Sequence, residues 1–390
     1  MITLRPGSHA YRLLLLLSAA GEFPTRSMRL LGSVRSLEAL VYRLEHTQQF
    51  RNESGADLGS CKMLSVSGKR DRRTIRFHKT ALPLLNTLHP AALEQYLALS
   101  GGHRFSSSTG HVQRNHRVAE TLAMCMGAGI EFRPYALPVL QKQCIAQVVP
   151  TSPALYIARS LKRLDSTEMS KTIFTRLTGA LFAHETCWAV YNTRSAVMKW
   201  SGMGEFKTAQ HLAELARMNA GIPQADHALL LGECIDIALR TMEESDKSRR
   251  MELRFDRIYP HIHFIPLNWQ GIRLLRILTL PDWNEQMLSA VFPSEWRAVS
   301  PGIIEHDAQR DGIFILSHLD GDLARLLRLR QALEHSETPC EVLCFPWQTV
   351  FVRDYLGGRA GLREVTMDAL EDALGLTDPE DSDPHKEVPP

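Results

Sequence analysis

Neither GxxxxGK[ST] nor GxGxxG occurs anywhere in the 390 residues. Their absence removes P-loop ATPase and dinucleotide-dependent chemistry, which need such loops to cradle phosphates. No nucleophile elbow of the serine-hydrolase type is present either. Charge of one sign is scarce: 45 Lys and Arg offset 43 Asp and Glu, a net charge of +2. The chain is no polycation, so any nucleic-acid footprint must be local. Seven cysteines (61, 125, 144, 187, 234, 340 and 344) show no CxxC and no regular pairing pattern. That usage fits reduced thiols and a cytoplasmic protein. Long hydrophobic runs are also missing. Leu13–Leu17, after Arg5 and Arg12, has the look of a signal-peptide core but is too short to span a bilayer. It continues straight into a helical pattern and reads as the first helix of a domain, so no membrane partner is expected.

What is present begins with that helix. Tyr11–Ala20 is apolar and closed by Gly21; Pro24-Thr25-Arg26-Ser27 opens a short second helix over Met28–Leu31; Gly32-Ser33 makes a turn. A third helix carries Val34, Leu37, Leu40, Val41 and Leu44 at helical spacing, one buried stripe. Its opposite face shows Arg35, Ser36, Ala39, Tyr42 and Arg43. Two strands follow, Cys61–Val66 and Thr74–Phe77, joined by Ser67-Gly68-Lys69-Arg70-Asp71-Arg72-Arg73. Three helices and a cationic hairpin are the order of a winged helix-turn-helix. A helix that can enter a major groove beside a loop that can reach the backbone suits duplex DNA. The expected DNA contacts are Arg35, Tyr42 and Arg43 in the groove, with Lys69, Arg70, Arg72, Arg73 and Arg76 on phosphates. A hairpin tip of this kind can also be an ordinary solvated loop; the clustering of cations favours the phosphate reading.

Beyond Leu88 come helices over Ala91–Leu99 and His111–Met126, separated by the polar stretch Ser106–Gly110, the best linker candidate. Ile130-Glu131-Phe132 starts what reads as a strand. From about Pro150 short apolar runs alternate with helices. Strands are expected at Ala154–Ala158, Ala228–Gly232, His263–Leu267, Gly312–Leu316 and Glu341–Phe345. A hairpin is expected between Trp188–Asn192 and Ala196–Trp200. Helices are expected over Lys207–Met218, Ile235–Met242, Leu323–Leu333 and Val350–Tyr355, and an apolar segment over Ile272–Leu278 follows the His263 strand. This alternation predicts a multi-domain α/β protein: an N-terminal winged helix and a C-terminal α/β domain with a buried mixed sheet. The expected boundaries are 1–100 for the winged helix, 101–150 for a linker and bridging helix, 151–376 for the α/β domain, and 377–390 for an acidic, disordered tail.

The helix–turn–hairpin pattern, Leu40-Val41-Tyr42-Arg43-Leu44 and the helix opening at His116-Arg117-Val118-Ala119 together resemble the replication-relaxation family. The segment from Ala189-Val190-Tyr191-Asn192-Thr193 to Met198-Lys199-Trp200 is similar to such proteins too. The likeness covers about the first half of the chain. It implies a DNA-binding front end, a nuclease-like α/β domain, and a role in replication or mobilisation of a plasmid or integrative conjugative element.

Three features bear on catalysis. His261-Ile262-His263 on a strand puts both imidazoles on one face, a pairing that suits a divalent metal and resembles the metal motif of rolling-circle initiators and relaxases. Such a mechanism needs a tyrosine, for which Tyr355 is the candidate. Against it, 16 histidines produce a short HxH by chance, and no motif supplies a third ligand. Glu205-Phe206-Lys207, with Asp165 upstream, has the acid-x-Lys form of restriction-type nucleases, but a Glu in a first helical turn also favours the helix dipole. Asp320 and Asp322 flank Gly321 at the carboxyl end of a strand, where α/β proteins place sites; capping the Leu323 helix is the simpler role. Cys344-Phe345-Pro346-Trp347-Gln348 reads as core packing beside a loop.

The expectation is therefore a sequence-specific duplex-DNA-binding protein with no metal, no cofactor and no assignable catalytic residue. A homodimer and conjugation or replication proteins are the further candidate partners. One rival is a metal-dependent DNA nickase or nuclease targeted by the winged helix. The other is a transcriptional regulator whose α/β domain mediates oligomerisation or sensing.

Overall fold

The structure is a computed structural model and describes residues 1–106, 108–130, 153–161, 174, 176–198, 202–217, 221–297 and 304–376. Asp165, Lys199, Trp200, the strand expected after Ile130 and the acidic tail lie outside those residues. The architecture is mixed α/β, with helices packed on four sheets.

Strand β1 (Ile2–Leu4) leads into helix α1 (His9–Ala20). Ser8 caps the helix by accepting from Tyr11 N, and Gly21, at φ 79°, returns its N–H to Leu17. Leu13, Leu14, Leu16 and Leu17 are all buried. Strand β2 (Glu22–Pro24) follows, then a 3-10 turn over Thr25–Leu30 where the sequence predicts a short helix. Helix α2 (Val34–Leu44) buries Leu37, Val41 and Leu44. Val34, expected in the same stripe, is 45% exposed, because it opens the helix beyond the edge of the core.

Strands β3 (Gln48–Asn52) and β4 (Asp57–Cys61) form a sheet with β1. The cationic hairpin is β5 (Leu64–Ser67) and β6 (Thr74–Phe77), and β6 also pairs with β2. The strand expected from Cys61 is thus two strands in different sheets. The chain changes sheet at Met63, whose N–H donates to Leu44 O. Helices α3 (Leu82–Leu88), α4 (Pro90–Leu99) and α5 (Thr109–Gly127) complete this half.

The largest sheet has the order β11-β10-β9-β8-β7. Its members are β7 (Ala154–Ile157), β8 (Leu177–Ala183), β9 (Thr186–Arg194), β10 (Gln224–Gly232) and β11 (His261–Pro266). The first three run antiparallel and the last two join in parallel through helices Met203–Leu215 and Ile235–Asp246. β8 and β9 are buried almost throughout, as expected of strands covered on both faces. The expected Trp188/Ala196 hairpin is corrected here. The hairpin partner of β9 is β8, reached through His184-Glu185, and Ala183 pairs with Thr186. His184 takes φ 52° in that tight turn without the Gly or Asn that would mark it in sequence.

A second sheet, β12 (Ala308–Arg310), β13 (Ile313–Ser317), β14 (Cys340–Cys344) and β15 (Gly361–Glu364), is parallel except at β12. Residues 320–322 join the two sheets: Phe264 N donates to Gly321 O, and His263 bridges Asp322. Gly321 sits at φ 70°, and a Cβ there would lie 2.8 Å from Phe264 O. Gly321→Ala is therefore expected to cost on the order of 1–3 kcal/mol in denaturant unfolding, from backbone strain plus the forced separation.

Helix α5 lies between the front half and the large sheet, packing on α1, β2, β8 and β9. At this junction Glu120, 1% exposed, accepts from Ser27 Oγ at 2.6 Å and Asn192 Nδ2 at 3.2 Å, and stands 3.1 Å from Arg194 Nε. Burial drives Glu120 toward its neutral form, and Arg194 opposes this. One buried apolar cluster runs from Ile2 to Leu370, and a second, from Tyr156 to Leu356, fills the opposite side of the large sheet.

Candidate functional site

On α2, the buried stripe turns Arg35, Ala39, Tyr42 and Arg43 outward; all four are exposed, Tyr42 to 68%. Tyr42 packs on the ring of His46, and Arg43 donates to Met1 O at 3.4 Å. Lys69, Arg70, Arg72 and Arg73, at the tip of the β5–β6 hairpin, are exposed and make no ion pair with a described residue. Gly68 shapes this tip: at φ 84°, a Cβ would meet Arg72 O at 2.2 Å. Arg76 is placed differently from its expected phosphate role. Its guanidinium is held by Glu22 Oε2 at 2.6 Å and lies 4.4 Å from the centre of the Phe105 ring. β6 pairs Arg76 with Glu22 across the sheet, so the charge is spent internally.

A second cluster lies at the edge of the large sheet. Parallel pairing sets His227 beside His261 on one side and beside Trp188 on the other. Strand alternation puts His263 on the same face as His261, as the HxH spacing predicts. Sequence reasoning did not find His227, the third member, because the register that delivers it belongs to another strand. One nitrogen from each of the three rings can be chosen so that all lie within 4.8 Å of one another.

Two of the three histidines are oriented by an oxygen. His261 Nδ1 donates to Asp322 Oδ2 at 2.8 Å, and His263 Nδ1 donates to the Asp320 carbonyl at 3.0 Å. The tautomers follow from these acceptors. Asp322 also caps helix Leu323–Leu333, accepting from Ala324 N and Arg325 N as well as Ile262 N. The capping role expected of it is present and is joined to a second one. Burial alone would raise the Asp322 pKa; its hydrogen bond to His261 and the nearby histidines outweigh that and hold it below the usual range. Asp320 is pushed up by burial. The bond to Asp322 raises His261, while burial pushes His227 down to about 2.

The cluster borders a cavity of about 580 Å³ whose walls include Trp188, Trp283, His306 and Arg325. Arg325 is locked by Glu305 and Asp307, each at 2.7 Å. Glu185, Asp282 and Glu285 line the same cavity. No tyrosine does, among the described residues. Tyr355 instead packs under Arg330, 4.7 Å from its ring centre, and against Phe351. The acid-x-Lys triplet does not form a site either. Glu205 is buried and accepts from Arg176 at 2.5 Å, whereas Lys207 is exposed one helical step away. The end of β9, where such a motif would follow a hairpin, carries Asn192-Thr193-Arg194.

No family model, no curated protein and no solved structure matches the chain.

Proposed function

We propose that the protein is a duplex-DNA-binding protein whose front half is a winged helix, with α2 as the groove helix and the β5–β6 tip as the wing. The observation that carries this reading is the set of four exposed cations at the hairpin tip, none in an ion pair among the described side chains, in a chain of net charge +2. The succession α1, 3-10 turn, α2 and a β2-β6-β5 sheet supports it. Arg35, Tyr42 and Arg43 face the groove, and Lys69, Arg70, Arg72 and Arg73 hold phosphates. Arg76 is left out of the interface because Glu22 already neutralises it. The resemblance to replication-relaxation proteins supplies the proposed setting, replication, mobilisation or regulation of a plasmid or conjugative element.

The test is fluorescence anisotropy of a labelled duplex with the full chain over roughly 50–200 mM salt. Binding that weakens linearly on a log–log plot is expected; no binding at the low end refutes the reading. Arg35→Ala and Arg43→Ala separate base reading from backbone holding. Each is expected to cost about 1–3 kcal/mol on a preferred site and to relax base preference there. An equal loss on every sequence assigns that arginine to the backbone.

Binding without cleavage is the expected activity. The acidic and histidine candidates do not converge on one nuclease motif, and no tyrosine borders the histidines among the described residues. Supercoiled DNA should survive incubation with magnesium or manganese. Nicking that disappears in the His261→Ala/His263→Ala double variant would instead establish relaxase-like chemistry.

A further inference from the structure

The three histidines bring ring nitrogens within 4.8 Å of one another, and not all of their lone pairs meet a proton from a described residue. His263 gives its Nδ1 proton to the Asp320 carbonyl, which can only accept, so Nε2 presents a lone pair. His261 gives its Nδ1 proton to Asp322, which leaves Nε2 bare. His227 Nδ1 lies 3.0 Å from His263 Nε2, and its Nε2 lies 3.5 Å from Asp226 Oδ1. If Nδ1 carries the His227 proton, the bare Nε2 faces a carboxylate oxygen. That oxygen is itself buried without a hydrogen-bond partner. If Nε2 carries the proton, two lone pairs confront each other at 3.0 Å.

We propose that His227 Nδ1, His261 Nε2 and His263 Nε2 together hold one divalent transition-metal ion of the zinc class, with a remaining coordination position open to the Trp188–Trp283 cavity. The ion accepts all three lone pairs at once and lets His227 Nε2–H point to Asp226 Oδ1. Each ligand then has a second oxygen behind it: Asp226, Asp322 and the Asp320 carbonyl. Such outer partners fix tautomer and ring direction in histidine metal sites. Three neutral nitrogen donors with an open position suit zinc or its neighbours and give little hold on magnesium or calcium, which demand oxygen. The alternative grouping of His263 with Asp320 and Asp322 is not the ligand set. Asp322 Oδ1 already accepts three backbone N–H groups, Asp322 Oδ2 takes the His261 proton, and Asp320 Oδ1 accepts from Asp322 N. These carboxylates orient the ligands.

When bound, the ion supplies a Lewis acid at the cavity floor. The acidic residues Glu185, Asp282 and Glu285 in the cavity lining disfavour a phosphate backbone there, so the site is separate from the proposed DNA interface. Its failure and that of the DNA reading are accordingly distinguishable.

The test uses the full chain, stripped with chelator and titrated with cobalt(II), then with zinc in competition. One ion per chain is expected, with the visible absorption of four-coordinate cobalt, displaced by zinc. His227→Ala is expected to weaken binding at least 100-fold, and Asp226→Asn by roughly 10- to 100-fold, the usual effect of losing an outer partner. Circular dichroism and duplex affinity should be unchanged in both. His263 is fully buried, so its variant is scored only if it keeps the native circular dichroism; His227→Ala and Asp226→Asn decide the matter regardless. Absence of stoichiometric binding, or an affinity unchanged by His227→Ala, overturns the proposal.

Discussion

Replacing Lys69, Arg70, Arg72 and Arg73 together by alanine is expected to weaken duplex binding on every sequence and to flatten its salt dependence. Each phosphate contact removed takes about one unit from the log–log slope, because each neutralised phosphate had released a condensed counterion. Four lost contacts would thus remove about four units, a change visible even if the absolute affinity is modest. The substitutions spare Gly68, on which the tip conformation depends, and none of the four cations pairs with a described residue. Folding should therefore be untouched, and the effect belongs to binding. Unchanged affinity and slope would remove the hairpin from the interface.

Glu120→Ala is expected to destabilise the protein by about 3–5 kcal/mol, the range for breaking a buried ion pair by removing one partner. Arg194 is 3% exposed and would be left with Gln113 Oε1, at 2.7 Å, as its remaining side-chain hydrogen-bond partner among the described residues. Ser27 and Asn192 would lose an acceptor in the same step. Ser27 belongs to the front half and Arg194 to β9, so the loss falls on the junction between them. Urea unfolding of the full chain checks this. A loss below about 1 kcal/mol, the scale of an exposed pair, would show that Glu120 does not hold the junction.

Local pattern carried much of the fold. α1, α2 and helix Leu323–Leu333 are marked by their apolar residues, α1 also by Gly21 at its end and Leu323–Leu333 by Asp322 at its start. The side-by-side placement of His261 and His263 follows from strand alternation alone. What failed to show in the sequence depends on pairing between distant segments. The β8–β9 turn has no glycine, so local pattern points Trp188–Asn192 to a partner on the wrong side. His227 joins the other histidines only through the parallel register of β10 with β11. Arg76 has the same charge as the hairpin-tip cations; only the β2–β6 register shows that Glu22 occupies it. The small sheet of β1, β3 and β4 is built from short strands of mixed exposure, too weakly patterned to stand out.

Where DNA lies on the protein decides most directly between a winged-helix front half and the alternatives. Photo-crosslinking a bromodeoxyuridine-substituted duplex to the full chain, then sequencing the modified peptides, reads this without assuming a target site. Crosslinks confined to residues 35–43 and 68–74 are the result expected of a groove helix and a wing. Crosslinks clustered instead around the Trp188–Trp283 cavity, with none on α2 or the hairpin tip, would contradict it.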